Sequence, residues 1–222
     1  MPSEQPPHEL EQRVIAVVLL GRFNPRIFQP TWFAARELLT DVDVEPKSIV
    51  MTDGFVAFET EYLRLLCAQD RCQFVSTETT PTPELIRDLV VGTFSILGET
   101  PVWEIGINHA IHIPAQVRRW DDVVAAMGDP QRSLVLLDDQ SLQTVALRSP
   151  RDDGYEGART LALQPSVELV DGVYMTLNDD IVVHPPDDRE AIGARHAIEV
   201  FDSVWEESHA IAESIRIKLA PT

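Results

Sequence analysis

The hydrophobic positions of this chain follow a strand pattern in some segments and the 3.6-residue period of a helix in others. Residues 14–20 are apolar at every position, which predicts a central strand covered on both faces. Residues 102–113 place isoleucines at odd-numbered positions, which predicts a second long strand with one apolar face. Shorter strands are predicted over residues 48–52, 55–67 (as one bent strand or two short ones), 71–78, 133–137, 142–148, 159–170 and 173–183.

Four other stretches predict helices. The clearest begins at Thr82-Pro83 and runs to residue 97, with apolar residues recurring at the 3.6-residue period. Pro30 suits the first position of a helix that continues to about Thr40. A third helix is predicted over residues 116–127, ended by Gly128, and a long fourth one over about 189–219.

The order of these elements repeats. Each half opens with a long strand, continues with a tryptophan-containing helix (Trp32, Trp120), and closes with a strand hairpin and an amphipathic helix. The predicted fold class is therefore α+β, with two β-α-β-β-β-α repeats forming one antiparallel sheet and helices mainly on one face. The repeats are predicted over residues 12–101 and 102–222, after a disordered segment at 1–11 that is rich in Pro and Glu.

This order of elements resembles the duplicated, saddle-shaped α+β domains of the TATA-binding-protein-like family. The chain is also similar to sporadically distributed, uncharacterised bacterial proteins of about this size. The first resemblance implies a continuous sheet in which the two long strands are neighbours, and the second implies a bacterial origin. Minor-groove binding in the first family depends on basic residues and inserted aromatic side chains.

The charge of the chain argues against that activity. There are 36 acidic and 18 basic residues, which give a net charge of −18. Binding to a phosphate backbone or to an anionic membrane surface needs clustered Lys and Arg, so we expect neither partner. The first thirteen residues are polar and acidic and do not form a signal peptide, so a cytoplasmic location is predicted. A protein partner or self-association is the expected alternative.

Candidate chemistry is sparse. None of the common nucleotide, hydrolase or metalloprotease motifs occurs, so no catalytic residue and no cofactor is predicted, and an enzyme is the less favoured reading. His109 and His112 fall on opposite faces of their strand and cannot share one metal ion. The carboxylates around His184 could hold a cation, although turns and helix N-termini explain them more simply, and no metal site is predicted. Cys67 and Cys72 flank a short turn and are expected to be free thiols.

The two faces of the predicted sheet differ. In the first half Ala16, Val18 and Leu20 would form an apolar face without helices, which suggests an interaction surface. In the second half one face is polar and suggests a binding surface. Its predicted members are Glu104, Asn108, His112, Gln164, Tyr174 and Thr176. The segment 149–157 has no regular pattern and is predicted to be a mobile loop.

Three functions follow from these observations. The first is a non-catalytic interaction subunit or adaptor of a bacterial assembly. The second is an acidic neutraliser of a basic partner, such as an immunity protein, an antitoxin or a nucleic-acid mimic. It would need acidic surface at residues 152–153, 179–180 and 187–188. The third is a small-molecule-binding enzyme or sensor with a pocket lined by His112 and Glu104.

Overall fold

The computed structural model of the protein describes residues 12–40, 47–77, 82–127, 141–183 and 193–219. In these residues nine strands form one antiparallel sheet. The strands are β1 (Gln12–Gly21), β2 (Ser48–Met51), β3 (Phe55–Glu59), β4 (Leu63–Ala68), β5 (Arg71–Ser76), β6 (Val102–Ile113), β7 (Val145–Pro150), β8 (Glu156–Pro165) and β9 (Val173–Val182). Predictions for residues 1–11, 133–137 and 184–192 lie outside the described residues.

The two long strands lie side by side at the centre of the sheet, in the order β2-β3-β4-β5-β1-β6-β9-β8-β7. β1 and β6 pair antiparallel from Gln12 opposite His112 to Gly21 opposite Val102, with a register shift after Leu20. On either side of this pair the last strand of a half returns beside its first strand. The predicted continuous antiparallel sheet is therefore confirmed.

Four helices pack on one face of this sheet in the described part of the chain: α1 (Pro30–Ala35), α2 (Glu84–Ile96), α3 (Trp120–Ala126) and α4 (Ala194–Leu219). The larger core joins α1, α2 and the first half of α4 to Ile15, Val17 and Leu19 of β1. A smaller core joins α3 and the end of α4 to Ile111 and Ile113 of β6. Because α4 contributes to both cores, packing crosses the predicted boundary at residue 101.

The prediction for the first helix is wrong at its end. α1 stops at Ala35, because Glu37 adopts a left-handed φ of 58°. The N–H of Glu37 donates to the carbonyl of Ala34, and that of Leu38 donates to the carbonyl of Phe33. This pair of bonds is the Schellman arrangement that ends a helix. The third helix also begins later than predicted, since residues 115–117 form a separate turn before Trp120.

Several strand limits also differ from the prediction. β8 begins at Glu156 and ends at Pro165, whereas residues 55–67 form two short strands with a turn at Thr60, which is one of the two predicted alternatives. β8 ends at Pro165 because the side chain of Ser166 accepts hydrogen bonds from the backbone of Glu168 and Leu169. The hairpin at Asp53-Gly54 forms as predicted, although Gly54 does not use a left-handed φ.

The prediction that residues 149–157 form one irregular loop is wrong at both ends. Its two ends belong to β7 and β8, and its centre is anchored by Arg151, whose side chain has no exposed surface. Gly157 adopts a φ of 133° and lies against the backbone of Asp180, where a Cβ would come within 2.0 Å of the carbonyl oxygen. The connection between β7 and β8 is therefore packed against the sheet through a buried ion pair and a close backbone contact.

Candidate functional site

The strand register decides which side chains share each face. His109 and Ile111 of β6 point toward the helices, so Asn108, Ala110 and His112 point away from them. The face that points away from the four described helices is called the open face below. All six residues of the predicted polar face, Glu104, Asn108, His112, Gln164, Tyr174 and Thr176, lie on the open face.

Twelve neighbouring positions of the open face carry no Asp, Glu, Lys or Arg. They form three rows of four across β1, β6, β9 and β8, and we call them the uncharged field. The rows are Gln12, His112, Tyr174 and Gln164; Val14, Ala110, Thr176 and Ala162; and Ala16, Asn108, Asn178 and Thr160. Charged residues make up 24% of the whole chain, so their absence from twelve adjacent sheet positions is a distinct feature of this face.

One end of the uncharged field is a row of polar and aromatic groups. The rings of His112 and Tyr174 stack with centroids 4.5 Å apart and planes inclined by 27°. His112 Nδ1 lies 2.8 Å from Ser166 Oγ, which also accepts two backbone N–H bonds. Because both lone pairs of Ser166 Oγ accept backbone bonds, its hydroxyl hydrogen is donated to His112 Nδ1. The neutral imidazole therefore carries its own proton on Nε2.

Burial lowers the pKa of His112 below its ordinary value, and the charge of Glu168 opposes that shift. The imidazole is therefore neutral near pH 7, which keeps the whole field uncharged. In the third row Asn178 donates to Asn108 Oδ1 at 2.8 Å, and Asn108 donates to the carbonyl of Ala16 at 3.4 Å. These bonds hold both amides in fixed positions on the sheet.

The predicted apolar surface is smaller than expected. Val18 is only 9% exposed, and Ala16 and Leu20 are half-buried. Ala16 belongs to the uncharged field, because it lies opposite Asn108. Val18 and Leu20 continue the same side of β1 toward Gly106 and Glu104.

Glu104 is separated from the rest of the predicted polar face. It lies eight residues from His112 along β6. At a rise of about 3.3 Å per residue, the two side chains are about 26 Å apart along the strand. They cannot line one small pocket, so that part of the small-molecule hypothesis is wrong.

A buried ion cluster was not anticipated from the sequence. Asp179 of β9 points toward the helices, has no exposed surface, and binds Arg151 and Arg159. Arg151 also binds Asp153, and Arg159 reaches Glu207 of α4 at 2.9 Å. The acidic surface predicted at 179–180 is therefore wrong for Asp179. A sequence signal existed, since a lone Asp at an otherwise apolar, odd-numbered position of β9 needs a cationic partner.

A second polar group lies between β6 and α4. His109 Nε2 lies 3.0 Å from Ser208 Oγ, and the His109 and His209 rings meet edge to face with centroids 4.6 Å apart. Burial, followed by the charge of His209, lowers the pKa of His109 to about 3. A histidine beside a serine is also a nucleophile–base arrangement, but Ser208 has no exposed surface and His109 is 4% exposed. The pair is closed off from substrate and is part of the core.

The remaining candidates contribute no reactive group. Cys67 and Cys72 lie opposite each other on β4 and β5 and are buried free thiols. Burial, followed by the hydrogen bond and charge of Cys67, raises the pKa of the Cys72 thiol well above its ordinary value. Across the described ranges there is no group of three or more His, Cys, Asp or Glu side chains arranged to hold a metal ion.

Comparison with protein-family models and with curated proteins gave no match for this chain. Of the helices in the described residues, none is both long enough and apolar enough to cross a membrane.

Proposed function

We propose that the chain is a non-catalytic protein-interaction subunit of a bacterial assembly and that it binds a protein partner on its open face. The observation that carries this proposal is the uncharged field. A strongly acidic protein that keeps charge away from one broad sheet surface has a surface suited to close contact with another protein. The centres of protein interfaces are depleted in charged residues and enriched in aromatic ones.

The geometry of the field supports contact with a protein. Its floor consists of small side chains, including Ala110, Ala162 and Thr176, and the His112–Tyr174 stack stands at one end. Small residues allow a partner backbone or helix to approach the sheet closely. The fixed amides of Asn108 and Asn178 offer hydrogen bonds at that surface with little loss of side-chain entropy on binding.

We also infer that the two halves are copies of one unit that share a single sheet. The support is the matching position of β1 and β6 at the sheet centre and the return of β5 and β9 beside them. A tryptophan-containing helix, α1 or α3, follows the central strand in each half. The halves differ in the described residues, because β2, β3, β4 and β5 follow α1 whereas three strands follow α3.

The acidic-neutraliser reading has less support. Asp153 and Asp179, two of the carboxylates it relies on, are held by Arg151 and Arg159 and are not free to meet a basic partner. Asp152 is exposed, but it also accepts a hydrogen bond from Arg159 at 2.8 Å.

Site-specific photo-crosslinking tests the proposal. A photo-reactive phenylalanine analogue replaces Tyr174 in the uncharged field or, as the control, Tyr155, which is 36% exposed and contacts Ser203 of α4 on the helical side. We expect a crosslinked protein adduct in cells from position 174 and none from position 155. Adducts from position 155 alone, or from neither position, would refute docking on the open face.

A further inference from the structure

The two edges of the sheet are protected to different degrees. β7 forms one edge and carries Arg148 and Pro150, which are residue types that discourage pairing with another strand. β2 forms the other edge among the described residues. Its apolar residues are consecutive and exposed: Ile49 by 46%, Val50 by 56% and Met51 by 48%. An unprotected apolar edge of this kind is a template for another strand.

The ladder between β2 and β3 shows which backbone groups face outward. Thr52 N–H donates to the carbonyl of Phe55 at 2.8 Å, and Val50 lies opposite Ala57. In an antiparallel pair such bonds involve every second residue, so Ser48, Val50 and Thr52 bond to β3. The alternation is irregular at the start of the strand, where Lys47 N–H also donates to the carbonyl of Glu59 at 2.7 Å. The N–H and C=O groups of Ile49 and Met51 therefore point away from the sheet.

The sequence around β2 is complementary to itself when it is reversed. Residues 47–53 read Lys-Ser-Ile-Val-Met-Thr-Asp. In an antiparallel pair centred on Val50, Ile49 faces Met51, Ser48 faces Thr52 and Lys47 faces Asp53 of the other copy. The outward N–H and C=O groups of Ile49 and Met51 then meet their counterparts, which gives four hydrogen bonds between the copies.

We propose that β2 pairs with β2 of a second copy of this chain, across a twofold axis at Val50. The axis is normal to the sheet, so the sheets join edge to edge and both helical layers lie on the same side. Charge complementarity between Lys47 and Asp53 favours this register, and the twofold axis makes the contact isologous. Asp53 already binds Arg26 of its own chain at 2.5 Å through one carboxylate oxygen, which leaves the second oxygen for Lys47 of the other copy. This contact uses the sheet edge, so it is independent of partner binding on the open face.

The first test is sedimentation of the full chain over a series of concentrations. We expect a monomer–dimer equilibrium, and Val50→Lys weakens it about tenfold or more because two lysines then meet at the axis. The matched control is Leu147→Lys on the other edge, where the native side chain is 54% exposed. It leaves the equilibrium unchanged. A single monomeric species at every concentration would overturn the proposal, as would a dimer that survives Val50→Lys.

A charge exchange and a crosslink test the register. Lys47→Asp alone and Asp53→Lys alone each weaken the dimer, whereas the double variant Lys47→Asp/Asp53→Lys restores it. Val50→Cys forms a disulfide-linked dimer under mild oxidation, because directly opposed Cα atoms in a pair without hydrogen bonds lie about 4.5 Å apart. Leu147→Cys is the control and remains monomeric. Failure of the double variant to recover dimerisation, or equal crosslinking at position 147, would show that this register is wrong.

Discussion

A cluster of buried charged side chains connects the segment after β7 to β8 and β9. Arg151 and Asp179 have essentially no exposed surface, and their charges are compensated within a cluster that also includes Asp153 and Arg159. One carboxylate oxygen of Asp179 binds both arginines, while the other has no hydrogen-bond partner among the residues that the structure describes. Removing Asp179 would leave Arg151 and Arg159 sharing Asp153 as their remaining largely buried counter-charge.

Replacing this carboxylate gives a direct prediction. Asp179→Ala lowers the free energy of unfolding by about 2–3 kcal/mol, since Arg151 and Arg159 each lose a charged hydrogen bond to the same buried carboxylate. Asp152→Ala removes a carboxylate that is 86% exposed, and it changes stability by about 0.5 kcal/mol or less. Urea unfolding of both variants measures the difference. Equal effects of the two substitutions would contradict a structural role for the buried cluster.

The buried histidines make stability depend on pH. Because the pKa of His109 falls from 6.5 to about 3 on folding, the unfolded chain binds more protons between these values. Stability therefore falls as the pH drops below 6.5, by up to roughly 1.4 kcal/mol per pH unit for this group. His109→Gln keeps a polar partner for Ser208 without a titrating group, so the slope of stability against pH becomes smaller. An unchanged slope in denaturant unfolding between pH 6.5 and 4 would contradict this account.

At the scale of elements, the strands were easier to predict than the short helices. The limits predicted for β6 are confirmed, because its alternation of apolar and polar residues is long and regular. α1 is shorter than predicted, because its apolar residues continue into a segment that bends away at Glu37. The sequence carries no glycine there to mark the stop, and a glutamate takes the left-handed position.

Glu37 offers a test of that helix end. Glu37→Gly stabilises the protein by about 0.5–1 kcal/mol, because glycine adopts a φ of 58° without the steric cost of a Cβ. Glu37→Ala is the control and leaves the conformational cost in place. The midpoints of thermal or urea unfolding measure both changes. A destabilised glycine variant would mean that the left-handed conformation of Glu37 does not terminate the helix.

At the scale of the whole molecule, the sequence predicted the arrangement of the sheet better than its chemistry. The alternation in β6 placed His109 and His112 on opposite faces, and all six predicted polar residues lie on the open face. The sequence could not show that Arg151 would reach Asp179, because that contact joins a loop to a strand 28 residues away. It also could not show the uncharged field, which depends on the register of four strands.

The central claim is that a protein partner binds the uncharged field. The most direct test is to capture that partner from cell extract with the tagged chain and to wash the complex at about 0.1 M and about 1 M salt. We predict a stoichiometric protein partner that stays bound at both salt concentrations. Thr176→Arg abolishes capture by placing a charge between Ala110 and Ala162 in the uncharged field. Val167→Arg does not, because that loop residue is 89% exposed and lies outside the field. A partner that high salt removes and that Thr176→Arg leaves bound would contradict the account and favour an acidic neutraliser.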